Sequence, residues 1–264
     1  MSHLPSTVLR ASVVAALLVS AVLLSGCEVF SSPQNTLSPE GDVAQTQKNL
    51  FLLVMWPALA ILVLTQGIVL YIALRYRQRR QDEPMPPQVH GNPRLEVAWT
   101  IAPTILLAIV AIPTLGALFD TGRAPRDEAL RVDVEGQRFS WTFTYPTILD
   151  EDGDPVAVVG VPGQPAVLHI PIGREIGVYL HSVDVIHSFW VPKLAGKLDV
   201  IPGRENRMWL KAEKPGTYSG QCAEFCGTGH AEMRMTIIAH TEEDFRAWLA
   251  EEGATESAPP PPAE

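Results

Sequence analysis

The sequence predicts a mainly β domain carried behind two membrane-crossing helices, and three observations predict it. Two runs, Leu50 to Leu74 and Val97 to Phe119, contain no charged side chain, and each exceeds the roughly 20 residues an α-helix needs to cross a hydrocarbon core of about 30 Å. From Leu130 onward the chain changes to short alternating apolar and polar runs broken by Gly, Pro and Asp, the period of strands with one buried face. Between the two apolar runs, Arg75, Arg77, Arg79 and Arg80 crowd a short loop, which marks that loop as cytoplasmic and places both flanking segments on the outer side.

The elements follow in order. Arg10 precedes a short apolar stretch, Val13 to Leu24, and then small residues and Cys27. This is the layout of a secretory signal too short to be a durable span. Leu24-Ser25-Gly26-Cys27 resembles a bacterial lipobox, which implies a signal peptide over residues 1–26 and a lipid on Cys27. An uncleaved third helix with an idle thiol is the alternative. Residues 27–47 read as a linker with a turn at Pro39-Glu40-Gly41. A helix hairpin over residues 48–122 follows, with Gln81 to Gly91 as its loop. Pro103 and Pro113 lie inside the second span, where neighbours can re-satisfy the freed backbone.

Strands are expected at Leu130 to Val134, Phe139 to Tyr145, Pro155 to Val161, Ala166 to Pro171, Glu175 to His181, Arg207 to Lys211 and Arg234 to Ala239. Their turn-separated succession indicates an antiparallel sandwich or small barrel over residues 125–252. Thr241 to Glu252 reads as a closing helix, with Thr241 as N-cap, Asp244 at the capping-box position and Phe245, Trp248 and Leu249 on one face. Residues 253–264, ending in a run of prolines, read as a disordered tail. From residue 125 onward the chain has 12 Lys/Arg against 22 Asp/Glu, a balance of −10. Such a domain repels nucleic acid and attracts cationic partners, although acidity also serves solubility.

The chemistry gathers in Cys222-Ala223-Glu224-Phe225-Cys226-Gly227-Thr228-Gly229-His230-Ala231-Glu232-Met233. Two thiols, an imidazole and a thioether within a dozen residues form a soft donor set that favours copper over oxygen-seeking cations. A Cys222–Cys226 disulfide leaves His230 and Met233 unexplained. A mononuclear blue-copper site leaves one cysteine over, and methionine is a poor zinc ligand. Two cysteines bridging two coppers account for every residue, provided a second histidine arrives from elsewhere. Asp184-Val185-Ile186-His187-Ser188-Phe189-Trp190 offers His187, with His181 as a rival. His169, His240, Met208 and Met235 are read as structural.

These two stretches, together with Lys197 to Arg204 and Pro215 to Cys222, resemble subunit II of cytochrome c oxidase over roughly residues 40–250. The resemblance implies a cupredoxin-like Greek-key β-barrel behind a transmembrane hairpin, in a bacterial cell membrane with the β domain on the periplasmic face. It implies a dinuclear copper centre in which Cys222 and Cys226 bridge, His187 and His230 each bind one copper, Met233 ligates weakly and Glu224 offers its backbone carbonyl. The Glu224 carboxylate is then a candidate for a magnesium site at the boundary with subunit I.

The implied partners are the haem-bearing subunit I, subunit III, membrane lipid and cytochrome c or another periplasmic donor. The implied activity is electron transfer to haem for oxygen reduction coupled to proton pumping. Glu96 matches the glutamate associated with proton entry, an ordinary interfacial charge being the alternative. In Gly136-Gln137-Arg138-Phe139-Ser140-Trp141 the chain departs from many members, which have tryptophan at Phe139 and glutamine at Arg138. That tryptophan is the family's usual electron entry point, so the resemblance leaves Phe139 and Trp141 as the candidates for entry, with core packing the alternative for Trp141. No Cys-x-x-Cys-His motif for covalent haem occurs.

Overall fold

The computed structural model describes residues 14, 17–21, 32–78, 87–88 and 91–257. Cys27 with most of the expected signal, Arg79 and Arg80, and the prolines after residue 257 lie outside the described residues. The chain divides into two units, residues 1–45 with 124–264 and residues 46–123.

The second unit is helical. It holds helix α1 (Asp42–Arg75) from Thr46 onward and the whole of helix α2 (Pro93–Thr121). Both are long and apolar enough to cross a membrane, with a mean hydropathy of 2.2 over their best windows and none of those residues buried. A helix that exposes Leu, Ile, Val and Phe all round has no buried face within the protein, so lipid is the solvent its surface suits. Helix α2 starts where the sequence stops the preceding loop: the Asn92 side chain accepts from the N–H groups of Arg94 and Leu95, and Pro93 occupies the first helical position. The Glu96 carboxylate in turn accepts from the Asn92 N–H at 3.2 Å, completing a reciprocal cap. Pro57, Pro103 and Pro113 all sit within helix.

The first unit is a two-sheet sandwich. Its strands are β1 (Leu130–Gln137), β2 (Ser140–Leu149), β3 (Pro155–Val159), β4 (Ala166–Pro171), β5 (Ile176–Ser182), β6 (His187–Trp190), β7 (Lys197–Val200), β8 (Asn206–Leu210), β9 (Gly216–Cys222), β10 (Arg234–His240) and β11 (Thr255–Glu256). One sheet runs β11-β2-β1-β5-β8, with β3 also on β2; the other runs β4-β10-β9-β6-β7. Alternation decides which side chains meet between them. Leu130, Val132 and Val134 of β1, Trp141, Phe143 and Tyr145 of β2, and Leu168 and Ile170 of β4 are at most 1% exposed. Each large apolar side chain so buried is worth roughly 1.5–3 kcal/mol, and a one-residue slip of register would turn the whole set outward.

The mainly β class is as expected, and three details correct the sequence reading. The sandwich is mixed rather than antiparallel, because β1 pairs β5 and β10 pairs β4 in parallel. Such pairs join strands far apart in sequence, which local periodicity does not reveal. Helix α1 begins at Asp42, inside the stretch read as linker, and Val43 and Ala44 are 3% exposed against the β unit. The Glu40 N–H donates to the Lys193 carbonyl, and Lys211 reaches Asp42 at 2.7 Å. Finally, the tail read as disordered from residue 253 continues as β11 on β2, held by Arg174 to Glu256.

The closing helix, α3 (Glu242–Glu251), obeys its sequence signals. Thr241 Oγ1 accepts from the Asp244 N–H and donates to the Asp244 carboxylate, while Phe245, Trp248 and Leu249 are buried.

Candidate metal centre

Strand pairing brings the two halves of the centre together. β6 opens with His187 and β9 closes with Cys222, and the two strands are antiparallel neighbours with Phe189 opposite Cys222. Backbone bonds pin the crossing: the Ala223 N–H donates to the Ser188 carbonyl and the Cys222 N–H to the Met233 carbonyl, each at 2.9 Å. The chain then loops through Cys226, makes one 3-10 turn over His230–Glu232 and reaches Met233 just before β10. Gly227, with φ +134°, and Gly229 permit this fold-back. A Cβ on Gly229 would fall 2.5 Å from the Phe139 ring, so the aromatic side chain packs where only glycine leaves room.

The donors converge. Cys222 Sγ and Cys226 Sγ are 3.9 Å apart, Cys222 Sγ is 3.9 Å from His187 Nδ1, and Cys226 Sγ is 3.7 Å from His230 Nδ1. Met233 Sδ lies 3.8 Å from Cys226 Sγ, and the Glu224 carbonyl lies 3.2 Å from Cys222 Sγ. The ligand atoms of His187, Cys222 and Cys226 all fall within 4.8 Å of one another. Both cysteines are free thiols, so the disulfide alternative is absent here. Two sulfurs, two imidazole nitrogens, a thioether and a carbonyl around one small volume fit copper.

Most of the donors are buried, with His230 partly exposed. His187 and Met233 are fully buried, Cys222 and Cys226 nearly so. Burial pushes the Cys222 thiol up, yet the polar contacts with His187 and with backbone at Glu224 and Ser188 outweigh it and bring it down to about 6. Burial together with the negative charge of Cys222 pushes Cys226 up to about 12.

Other site expectations resolve as follows. His181 is not at the centre; it pairs with Glu205 at 3.3 Å. Met208 and Met235 are core residues. His169 and His240 bond each other, Nδ1 to Nε2, at 2.8 Å. Trp141 is fully buried, with its ring centroid 6.0 Å from that of His187, and Phe139 is partly buried over the cysteine loop. Glu96 is exposed beside a shallow cleft of about 240 Å³ lined with Val97, Thr100 and Ile101. The sequence reading assigns no role to Asp184, and it notes Arg138 only as a departure from the family pattern, not as a partner of Asp184. Asp184 accepts from His187 Nε2 at 2.9 Å, and Arg138 binds Asp184 through its backbone N–H and its Nε. The three-residue spacing of Asp184 and His187 is a signal for the first; the contact of Arg138 with Asp184, 46 residues away, has no local signal.

The chain is similar to several known proteins. Residues 130–240 match the family described as cytochrome C oxidase subunit II, periplasmic domain, and residues 31–117 match its transmembrane domain. Cytochrome c oxidase subunit 2 of Alkalihalophilus pseudofirmus is 37% identical over 86% of this chain, which spans 64% of that relative's length. Quinol oxidase subunit 2 of Bacillus subtilis is 31% identical over 91% of this chain and 72% of its own. The crystal structure of the periplasmic domain of cytochrome oxidase subunit II from Bradyrhizobium japonicum is 29% identical, covering 49% of this chain and 96% of its own, with a TM-score of 0.43. By both family matches, which together take in the helical segment and the β-sandwich, the chain belongs to the cytochrome c oxidase subunit II family.

Proposed function

We propose that this chain is the electron-accepting subunit of a respiratory cytochrome c oxidase, with a dinuclear copper centre held by Cys222, Cys226, His187, His230, Met233 and the Glu224 carbonyl. The observation that carries the reading is the convergence of two free thiols, two imidazoles and a thioether at 3.7 to 3.9 Å. When bound, copper supplies one-electron exchange without bond-making to substrate. The protein's own residues do the rest. Cys222 and Cys226, 3.9 Å apart, would hold the metal between them, and the charge it carries would be spread over both sulfurs. The buried walls exclude water, so little solvent reorganises on electron arrival.

Electrons arrive from a periplasmic cytochrome c by way of Phe139 and Trp141, which lie against the cysteine loop and His187 respectively. They leave to haem in subunit I, where oxygen is reduced and protons are pumped. In the assembled complex subunits I and III cover the two spans. The Glu224 carboxylate, exposed beside its ligating carbonyl, is a candidate for magnesium at the subunit I boundary. Glu96, already a helix cap, faces proton uptake from the cytoplasmic side. Cys27 carries a lipid after signal removal, with the chain in a bacterial cell membrane and its β domain outside.

Several relatives are named quinol oxidase subunit 2, and a quinol-linked role is the second reading. The intact sulfur and imidazole set supports the copper reading against it. The full chain, purified in detergent and supplied with copper(II), is expected to bind roughly two copper ions and to give the electron paramagnetic resonance pattern of one electron shared by two metals. A chain that takes up no copper, or a single isolated one, overturns this function.

A further inference from the structure

Within the proposed copper reading, His187 is set apart by what stands behind it. Its Nδ1 faces Cys222 Sγ at 3.9 Å, and its Nε2 lies 2.9 Å from Asp184 Oδ1. A carboxylate only accepts, so Nε2 carries the proton and the Nδ1 lone pair is left for metal. The other Asp184 oxygen is also committed, receiving the Arg138 backbone N–H at 2.9 Å and the Arg138 Nε–H at 3.1 Å. The His187 side chain is fully buried, Asp184 is 21% exposed and Arg138 is 53% exposed. Three residues therefore lead from solvent to a buried ligand through two short hydrogen-bonded contacts. Among the described residues, His230 shows no matching carboxylate behind it. The two imidazoles of the centre are thus supported unequally.

We propose that Asp184 and Arg138 are positioning residues that set the reduction potential of the copper centre through His187, with Arg138 opposing the effect of Asp184. This rests on the copper reading above. A carboxylate that accepts from a ligating imidazole makes it more electron-donating, which favours the oxidised, more highly charged metal and lowers the potential. A guanidinium on the far oxygen withdraws part of that negative charge and raises the potential again. Arg138 also fixes the carboxylate in plane by binding it at two points. The sign of each contribution follows from charge alone: removing the guanidinium lowers the potential, and neutralising the carboxylate raises it. Because Arg138 acts through Asp184, its effect disappears once Asp184 is neutral. Because Arg138 is half exposed, its effect also shrinks as salt increases.

The test uses the full chain in detergent, loaded with copper(II), as wild type, Arg138→Gln, Arg138→Lys, Asp184→Asn and the Arg138→Gln/Asp184→Asn pair. The midpoint potential is titrated and the paramagnetic resonance spectrum recorded for each. The expected results are a lower potential for Arg138→Gln, partial return for Arg138→Lys, a higher potential for Asp184→Asn, and a double variant equal to Asp184→Asn alone. Arg138→Gln leaves both copper ligation and the core untouched, so it reports even if Asp184→Asn fails to fold. An unshifted Arg138→Gln potential with a wild-type spectrum overturns the proposal, as does a shift of unchanged size in the double variant. Wild-type chain that binds no copper sinks the functional reading instead, which the metal count separates from these outcomes.

Discussion

Two histidine pairs in the same sandwich have opposite fates. His187 and His230 present their Nδ1 atoms to sulfur at 3.9 and 3.7 Å, with no imidazole–imidazole bond between them. His169 and His240 present their ring nitrogens to each other at 2.8 Å, nearly coplanar, with Trp248 stacked on His169 at 4.6 Å between centroids. His240 ends β10, the strand that Met233 immediately precedes, so about 20 Å of strand separates the two neighbourhoods. The first pair keeps its lone pairs for something the protein does not itself contain. The second has spent them on its own fold, since two nitrogens pointing at each other share one proton and leave no common point for a metal. Residue type alone does not make a ligand; an imidazole is available when sulfur, not another imidazole, faces its lone pair.

Substitutions can break this contrast in both directions. The largest effect is expected from Cys226→Ser, which should erase the dinuclear resonance signal entirely while the metal-free protein keeps a near-wild-type unfolding midpoint. A surviving dinuclear spectrum would refute the ligand set. Trp248→Ala is the converse: loss of a 7%-exposed aromatic stacked on His169 should cost about 3–5 kcal/mol, seen as a lowered thermal midpoint, with copper stoichiometry unchanged wherever the protein remains folded. Thr241→Ala removes the hydroxyl cap of α3 and should cost about 1 kcal/mol, measurable by the same melt.

The smallest effect is one of pH. Burial, and then the neighbouring His240, lower His169 from 6.5 to about 4; burial also lowers His240, against the pull of Asp244. The unfolded chain therefore takes up protons first on acidification. Stability should be level above about pH 6.5 and fall between there and pH 4, with solvent screening of these partly buried rings keeping the slope shallow. Tyr145 and Asp244 also face this pair, so the decisive comparison is His169→Asn, which should flatten the decline in metal-free protein. An unchanged slope would show that the second pair is not the titrating group.

Some of this contrast was legible beforehand. The donor spacing of Cys222, Cys226, His230 and Met233 is local, because a loop with glycines at 227 and 229 can close on itself. The helix cap at Thr241 and the buried face of α3 are local in the same way. By contrast His169 and His240 are 71 residues apart and Arg138 and Asp184 are 46 apart. Strand β11 has only two residues and no alternation to distinguish it from a tail.

What the sequence determined by itself is whatever depends on near neighbours and solvent preference: two apolar lengths matched to a bilayer, a strand-period domain after them, and a soft donor set within one loop. Which distant groups share a partner depends on strand pairing instead. His187 meets Cys222 because β6 lies beside β9, Asp184 meets Arg138 because β1 and β5 pair in parallel and bring the turns that follow them side by side, and His169 meets His240 because β4 pairs β10 in parallel. The physical reason is that side-chain chemistry is written residue by residue, whereas a lone pair's fate depends on the register of strands whose pairing is set by burying the whole core at once.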